Sequence, residues 1–248
     1  MPKTILMLAT FGSEIAEVGG TLALHAQAGD AVHAAVLLSR PESRPQVSEA
    51  GAILGLKSVQ FLGFAYGETT LDVPSRIKLV RLFREIRPDI VITQDPDHVV
   101  HDLDPDRRIA MLLYLESLSV SGRDWRIEEC GGFEPHHVGT LYYMWAEHPN
   151  CVVEIGPTFG LKVKALQALS YQLAFTAQAL RERMGDDALR HVVSNFDELK
   201  HDNLALGKAL STEMERANAM YHGVISHSGA GLAEAFRHDG PIKLDALL

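Results

Sequence analysis

Apolar positions in the first hundred residues fall into two alternating patterns. Four short runs, Thr4–Ala9, Val32–Leu38, Val59–Leu62 and Ile90–Thr93, are almost unbroken by polar side chains. Runs of this length and composition predict strands covered on both faces. Between them, apolar residues recur at helical spacing over Gly20–Ala28, Val47–Leu54 and Ser75–Ile86, the last carrying Ile77, Val80, Leu82, Phe83 and Ile86. Gly29-Asp30, Gly55-Leu56-Lys57 and Arg87-Pro88-Asp89 supply the turns. Strand–helix alternation of this kind predicts right-handed crossovers and an α/β fold, a Rossmann-like, mostly parallel sheet flanked by helices. Open sheets of that class bind ligands beyond the carboxyl ends of their strands, so the side chains after Ala9 should line a crevice.

The second half is less regular. A polar loop spans Gln94–Arg108 and ends in a helix start, with Asp104 as N-cap, Pro105 at the first helical position and Asp106 beside the positive end of the dipole. Ile109, Leu112, Leu113, Leu115 and Leu118 continue that helix. A Gly- and His-rich loop covers 122–137, strands are expected over His137–Trp145 and Cys151–Ile155, and Lys162–Arg183 reads as one long amphipathic helix. The stretch 187–219 is mostly helical, and the tail Ser226–Leu248 surrounds a short helical piece at Leu232–Phe236. With no internal repeat, low-complexity tract or linker, residues 1–248 read as a single domain.

Charge and composition remove several function classes. The net charge of −9 over 248 residues leaves no Lys/Arg cluster for a phosphate backbone, so no nucleic-acid partner is expected. No apolar stretch approaches the ~18 residues of a membrane span. The first residues lack the basic start and small-residue cleavage site of a signal peptide, and Cys130 and Cys151 form neither a CxxC nor a metal-ligand spacing. The expectation is a soluble, cytoplasmic protein with reduced thiols.

The order of short motifs resembles the LmbE-like (PIG-L) family of N-deacetylases. That family opens on a strand, then Ala-His-Pro-Asp-Asp-Glu, a turn and Gly-Gly-Thr-Leu-Ala. This chain keeps the spacing with Ala9-Thr10-Phe11-Gly12-Ser13-Glu14 and Gly19-Gly20-Thr21-Leu22-Ala23. Ser39-Arg40-Pro41-Glu42, Leu54-Gly55-Leu56, Phe61-Leu62-Gly63, Arg87-Pro88-Asp89, the Lys162–Gln172 stretch and Ala233-Glu234-Ala235-Phe236 match later landmarks in order. The resemblance implies hydrolase ancestry, a small polar, sugar-like partner, and self-association as an open question.

The same resemblance implies that the metal chemistry has gone. Family enzymes bind zinc through the motif His, the second motif Asp and a later His, with the first motif Asp as base. Those positions align with Thr10, Ser13, Arg107 and Gly12, and the polarising His aligns with Asp104. Tyr66 replaces a substrate-binding Asp, and Leu169 a later His. Hydroxyls are poor zinc ligands, glycine has no side chain and a guanidinium cannot coordinate. What is left is a crevice of Thr10, Ser13, Glu14, Arg40, Tyr66, Asp104 and Arg107, in which Arg107 either recognises an anion with Arg40 or pairs with Glu14, Asp104 or Asp106. On this reading the chain is a pseudoenzyme or metal-independent hydrolase and needs no cofactor. The alternative is an active deacetylase of an N-acyl amino sugar whose zinc has relocated to His98, His101 and nearby Asp102. The plainer reading of that acidic loop is solvated turn chemistry, and His136-His137 is a weaker candidate of the same kind.

Overall fold

The structure is a computed structural model and describes residues 2–239. The chain runs β1 (Thr4–Ala9), α1 (Glu14–Glu17), α2 (Gly19–Gln27), β2 (Ala31–Leu38), α3 (Arg44–Ile53), β3 (Ser58–Phe64), α4 (Val73–Ile86), β4 (Ile90–Gln94), α5 (Pro96–Val99) and α6 (Pro105–Ser121). It continues through β5 (Thr140–Met144), β6 (Cys151–Glu154), α7 (Phe159–Ala168), α8 (Ser170–Met184), α9 (Asp186–Val192), α10 (Phe196–Leu199), α11 (Asn203–Met220) and β7 (Ala233–His238). Among the described residues the strands form one seven-stranded sheet in the order β3-β2-β1-β4-β5-β7-β6. The first five are mutually parallel, and β7 runs antiparallel to both β5 and β6.

The sheet has two apolar faces, as the unbroken strand runs require. From β1, Ile5, Met7 and Ala9 enter a core with Ile15, Leu22, Val47, Ala165 and Leu166 of α1, α2, α3 and α7. Leu6 and Leu8 point the other way, against Leu79, Leu82 and Phe83 of α4 and Met111, Leu113 and Tyr114 of α6. Each fully buried side chain of this size stabilises the fold by roughly 1.5–3 kcal/mol relative to exposure. A third cluster, including Ala177, Leu189, Phe196, Leu206 and Leu210, joins α8 through α11 into a helical layer. No helix of the described residues is long and apolar enough to cross a membrane, and both cysteines are free.

Two sequence expectations need correction. The long helix over Lys162–Arg183 is two helices, broken at Leu169 with φ −79° and ψ 54°. Neither Pro nor Gly marks the break; Leu169 leaves the helical path and sinks into the core at 3% exposure. The Leu232–Phe236 piece is not helical but opens strand β7. Four closely spaced apolar residues fit either period, and pairing with β5 and β6 decided the outcome. The rest of that tail, 240–248, lies outside the described residues.

Candidate functional site

The carboxyl ends of β1, β2 and β3 open into a cleft of about 380 Å³. Its walls include Phe11, Ser13, Arg40, Tyr66, Asp104 and Arg107, together with Gln46, Leu169, Tyr171, Gln172 and Phe175. Five of the seven side chains expected from the sequence therefore meet there: Ser13, Arg40, Tyr66, Asp104 and Arg107. Thr10 and Glu14 do not. Thr10 is 1% exposed and donates its hydroxyl proton to Gln94 Oε1 at 3.3 Å. Glu14 is fully buried beneath the floor, and its carboxylate accepts the Phe11 N–H at 3.1 and 3.3 Å. Both hold the turn rather than face a ligand.

Local chemistry explains why the turn folds this way. Gly12 has φ +94°, a region that penalises side chains, and a Cβ there would also press on Val47 at 3.1 Å. Tyr114, on the opposite face, anchors the strand end by donating its hydroxyl to Ala9 O at 3.0 Å. Burial, reinforced by the nearby Glu14 carboxylate, holds that phenol well above its ordinary pKa, so it stays a donor. Asp104 caps α6, accepting from Asp106 N at 2.8 Å and Arg107 N at 3.3 Å, as its sequence context predicts. Asp106 accepts from Gly67 N at 2.7 Å and Thr69 N at 3.4 Å, tying the Tyr66 loop to the same helix.

Arg107 is held from several sides. Its guanidinium carbon lies 5.1 Å from the Phe11 ring centroid and 5.0 Å from that of Trp145. It approaches Asp102 at 3.4 Å and Glu14 at 4.0 Å. The expected partners Asp104 and Asp106 are spent on backbone N–H groups instead. Phe11 stacks on Tyr66 with centroids 5.8 Å apart, and Arg40 lies 5.6 Å from the Tyr66 ring and 5.9 Å from that of Tyr171. The result is a continuous ladder, Trp145–Arg107–Phe11–Tyr66–Arg40–Tyr171, in which cations and aromatic rings pack face against face. Burial raises the Tyr66 phenol pKa, with the Arg40 charge opposing the shift.

Sequence reasoning missed much of this wall. Trp145 was expected at the end of a strand, yet it lies just past β5 and covers Arg107 from a left-handed backbone conformation (φ +53°). Tyr171 and Phe175 reach the cleft because of the helix break at Leu169, which carries no sequence signal. The position of Phe11 between Thr10 and Gly12 was the available clue.

A charged network lies behind the floor. Lys162, 1% exposed, donates to Glu234 Oε1 at 2.8 Å and to the Glu17 carbonyl, and pairs with Glu215 at 2.9 Å. Glu234 in turn accepts from Gly20 N at 3.0 Å and Thr21 N at 2.8 Å, capping α2 across 213 residues of chain. Burial, with repulsion from Glu14 and Glu215, raises the Glu17 carboxyl pKa well above its ordinary value, and its Oε2 has no partner among the described residues. An acid raised this way binds its proton more tightly folded than unfolded. Its favourable contribution is complete below its unfolded pKa and is lost as pH rises through the folded value. Glu17→Gln is therefore expected to flatten the decline in stability above pH 5 without lowering it at pH 5, as followed by urea denaturation across that range.

The residues at the family's metal positions do not fit zinc. Thr10 and Ser13 offer neutral hydroxyls, Gly12 nothing, and Arg107 a cation. The residues of the alternative metal loop have other partners in this structure. His98 Nδ1 bonds Glu147 Oε1 at 2.8 Å, Asp102 faces Arg107, and His101 is exposed. No group of three or more His, Cys, Asp or Glu side chains among the described residues is arranged to hold a metal. His136 is engaged structurally, its Nε2 against Pro88 O at 2.8 Å.

No family profile matches the chain. Over 117 residues, 46% of its length, it is 29% identical to a diacetylchitobiose deacetylase of Thermococcus kodakarensis, and the match spans only 43% of that relative. The solved N,N'-diacetylchitobiose deacetylase of Pyrococcus horikoshii is similar at a TM-score of 0.69 and 20% identity, covering 96% of this chain and 84% of its own. The 4-carboxy-2-hydroxymuconate hydratase of Pseudomonas putida KT2440 is similar at 0.68 and 18%, covering 99% and 100%. The architecture is that of the LmbE-like deacetylases, a seven-stranded, mostly parallel sheet flanked by helices. Over part of its sequence and across its fold, the chain is similar to these deacetylases.

Proposed function

We propose that this protein binds a small polar molecule in the β1–β3 cleft and has lost the family's zinc-dependent amide hydrolysis. The observation that carries the reading is Arg107, a fixed cation packed between Phe11 and Trp145 where the resemblance places a metal ligand. Two unit charges 4 Å apart repel by about 4 kcal/mol at an effective dielectric of 20, and a divalent ion doubles the penalty. Deacetylation also needs a base in contact with the substrate's water. Glu14, the carboxylate that survives in the motif, is fully buried and bonded to its own turn. Ser13 is not paired with any base in the described hydrogen bonds, so an acyl-enzyme route has no support either.

The fold does not fix the reaction, since its solved neighbours include a hydratase as well as deacetylases. Acetate release from N,N'-diacetylchitobiose with added zinc is the direct activity test. The protein is expected to release none above the uncatalysed rate. Turnover that stops on chelation would show that a metal-dependent mechanism persists.

A further inference from the structure

We propose that the cleft's ligand is a small organic anion, gripped by Arg40 and Arg107 and laid against the Phe11–Tyr66 ring pair. This rests on the reading of the cleft as a binding site and names the ligand class. Arg40 forms no ion pair with a carboxylate among the described residues; it is positioned by the Tyr66 and Tyr171 rings and by a hydrogen-bonding contact with the Tyr66 hydroxyl. Aromatic faces orient a guanidinium without using its N–H groups, and one phenol oxygen takes a single donor of the five, which leaves most of the planar fork open for a carboxylate or phosphate. Arg107 is comparably under-used. Its one side-chain hydrogen bond, to Asp102, is 3.4 Å long, and Glu14 stands at 4.0 Å. Both arginines line one cleft.

The opposing charge is small. Of the carboxylates nearby, Asp104 alone lines the cleft, and one of its oxygens already accepts two backbone N–H groups. Glu14 is sealed beneath the floor. The cleft therefore carries two guanidinium groups against one partly committed carboxylate, on a chain whose net charge is −9. The stacked Phe11–Tyr66 pair stands between the two cations and favours a flat ligand that bridges them. Gln46 and Gln172 offer amides at the same wall, while among the described residues no carboxylate besides Asp104 lines it to accept sugar hydroxyls.

Isothermal titration with terephthalate, a planar dicarboxylate, tests the class, with glucose 1-phosphate and N,N'-diacetylchitobiose titrated in parallel. Terephthalate or the phosphate ester should bind saturably with unit stoichiometry, whichever is tighter identifying the anionic group, and the neutral sugar should bind at least 10-fold more weakly. Affinity should fall as salt rises from 20 to 500 mM. Arg40→Gln, at an exposed position, should weaken the anion at least 10-fold with unchanged thermal stability, and Arg107→Gln should weaken it further. Equal binding by wild type and Arg40→Gln, a neutral sugar that binds as tightly, or no anion binding at low salt would overturn the assignment. None of these outcomes depends on zinc content or acetate release, so the two proposals fail separately.

Discussion

Lys162→Met is expected to lower stability by about 3–5 kcal/mol, the usual cost of removing one partner from a buried ion pair. Lys162 is 1% exposed and faces Glu234, itself 5% exposed, and Glu215, at 18%. Without the ammonium, two carboxylates and the Glu17 carbonyl lose their shared donor at a largely buried site. Glu234 keeps its bonds to Gly20 N and Thr21 N, so part of its charge remains compensated by the α2 terminus. The residual damage is the repulsion between Glu215 and Glu234. In a protein of this length each kcal/mol corresponds to roughly 2–4 °C, so Tm should fall by about 6–20 °C, read by circular dichroism. A change below about 1 kcal/mol would mean that the network contributes little net stability.

Gly207→Ala should also destabilise strongly, although alanine is the better helix former. A Cβ at Gly207 would lie 2.1 Å from Leu173 O and 2.6 Å from its carbonyl carbon, so α8 and α11 must separate. Overpacking of this kind costs typically 1–3 kcal/mol, and more when the obstacle is backbone. The propensity gain is about 1 kcal/mol. A net loss of about 2 kcal/mol is expected in urea denaturation. Gly160→Ala is the control: it meets nothing within 4 Å in α7 and should be neutral or stabilising. If both variants behaved alike, the close approach of α8 and α11 would not be a determinant of stability.

The parallel half of the sheet was legible because three signals agreed there. The buried runs Thr4–Ala9 and Val32–Leu38, the helical spacing of Ser75–Ile86 and the turn at Arg87-Pro88-Asp89 all pointed one way, and strand pairing never opposed them. Asp104 was legible for the same reason, since a cap is a local device. The failures are non-local. Leu232–Phe236 became strand because β5 and β6 offered partners, and Glu234 was drawn inward by the buried first-turn N–H groups of α2, which have no partner within the helix. Leu169 broke a helix to fill a core. Thr10 and Glu14 were assigned to the crevice from motif position alone, and only burial separates a residue that faces the ligand from one that braces the turn.

The aromatic wall was the least legible part of the site. Trp145, which packs on Arg107, and Tyr171, which lines the cleft, lie far apart in sequence, each placed by an irregularity of backbone, φ +53° at Trp145 and the bend at Leu169. What the motif did indicate was that Arg107 belongs to the cleft. An imidazole position had become Arg107, and the structure surrounds that cation with two rings and two carboxylates.

Zinc analysis of protein purified without chelator and then dialysed against zinc tests the central claim most directly. With Arg107 seated as described, bound zinc should remain far below one equivalent per chain, and His98→Ala and His101→Ala should leave that level unchanged. Stoichiometric zinc, lost on substitution of either histidine, would contradict the account and place a working metal site in the loop beside the cleft.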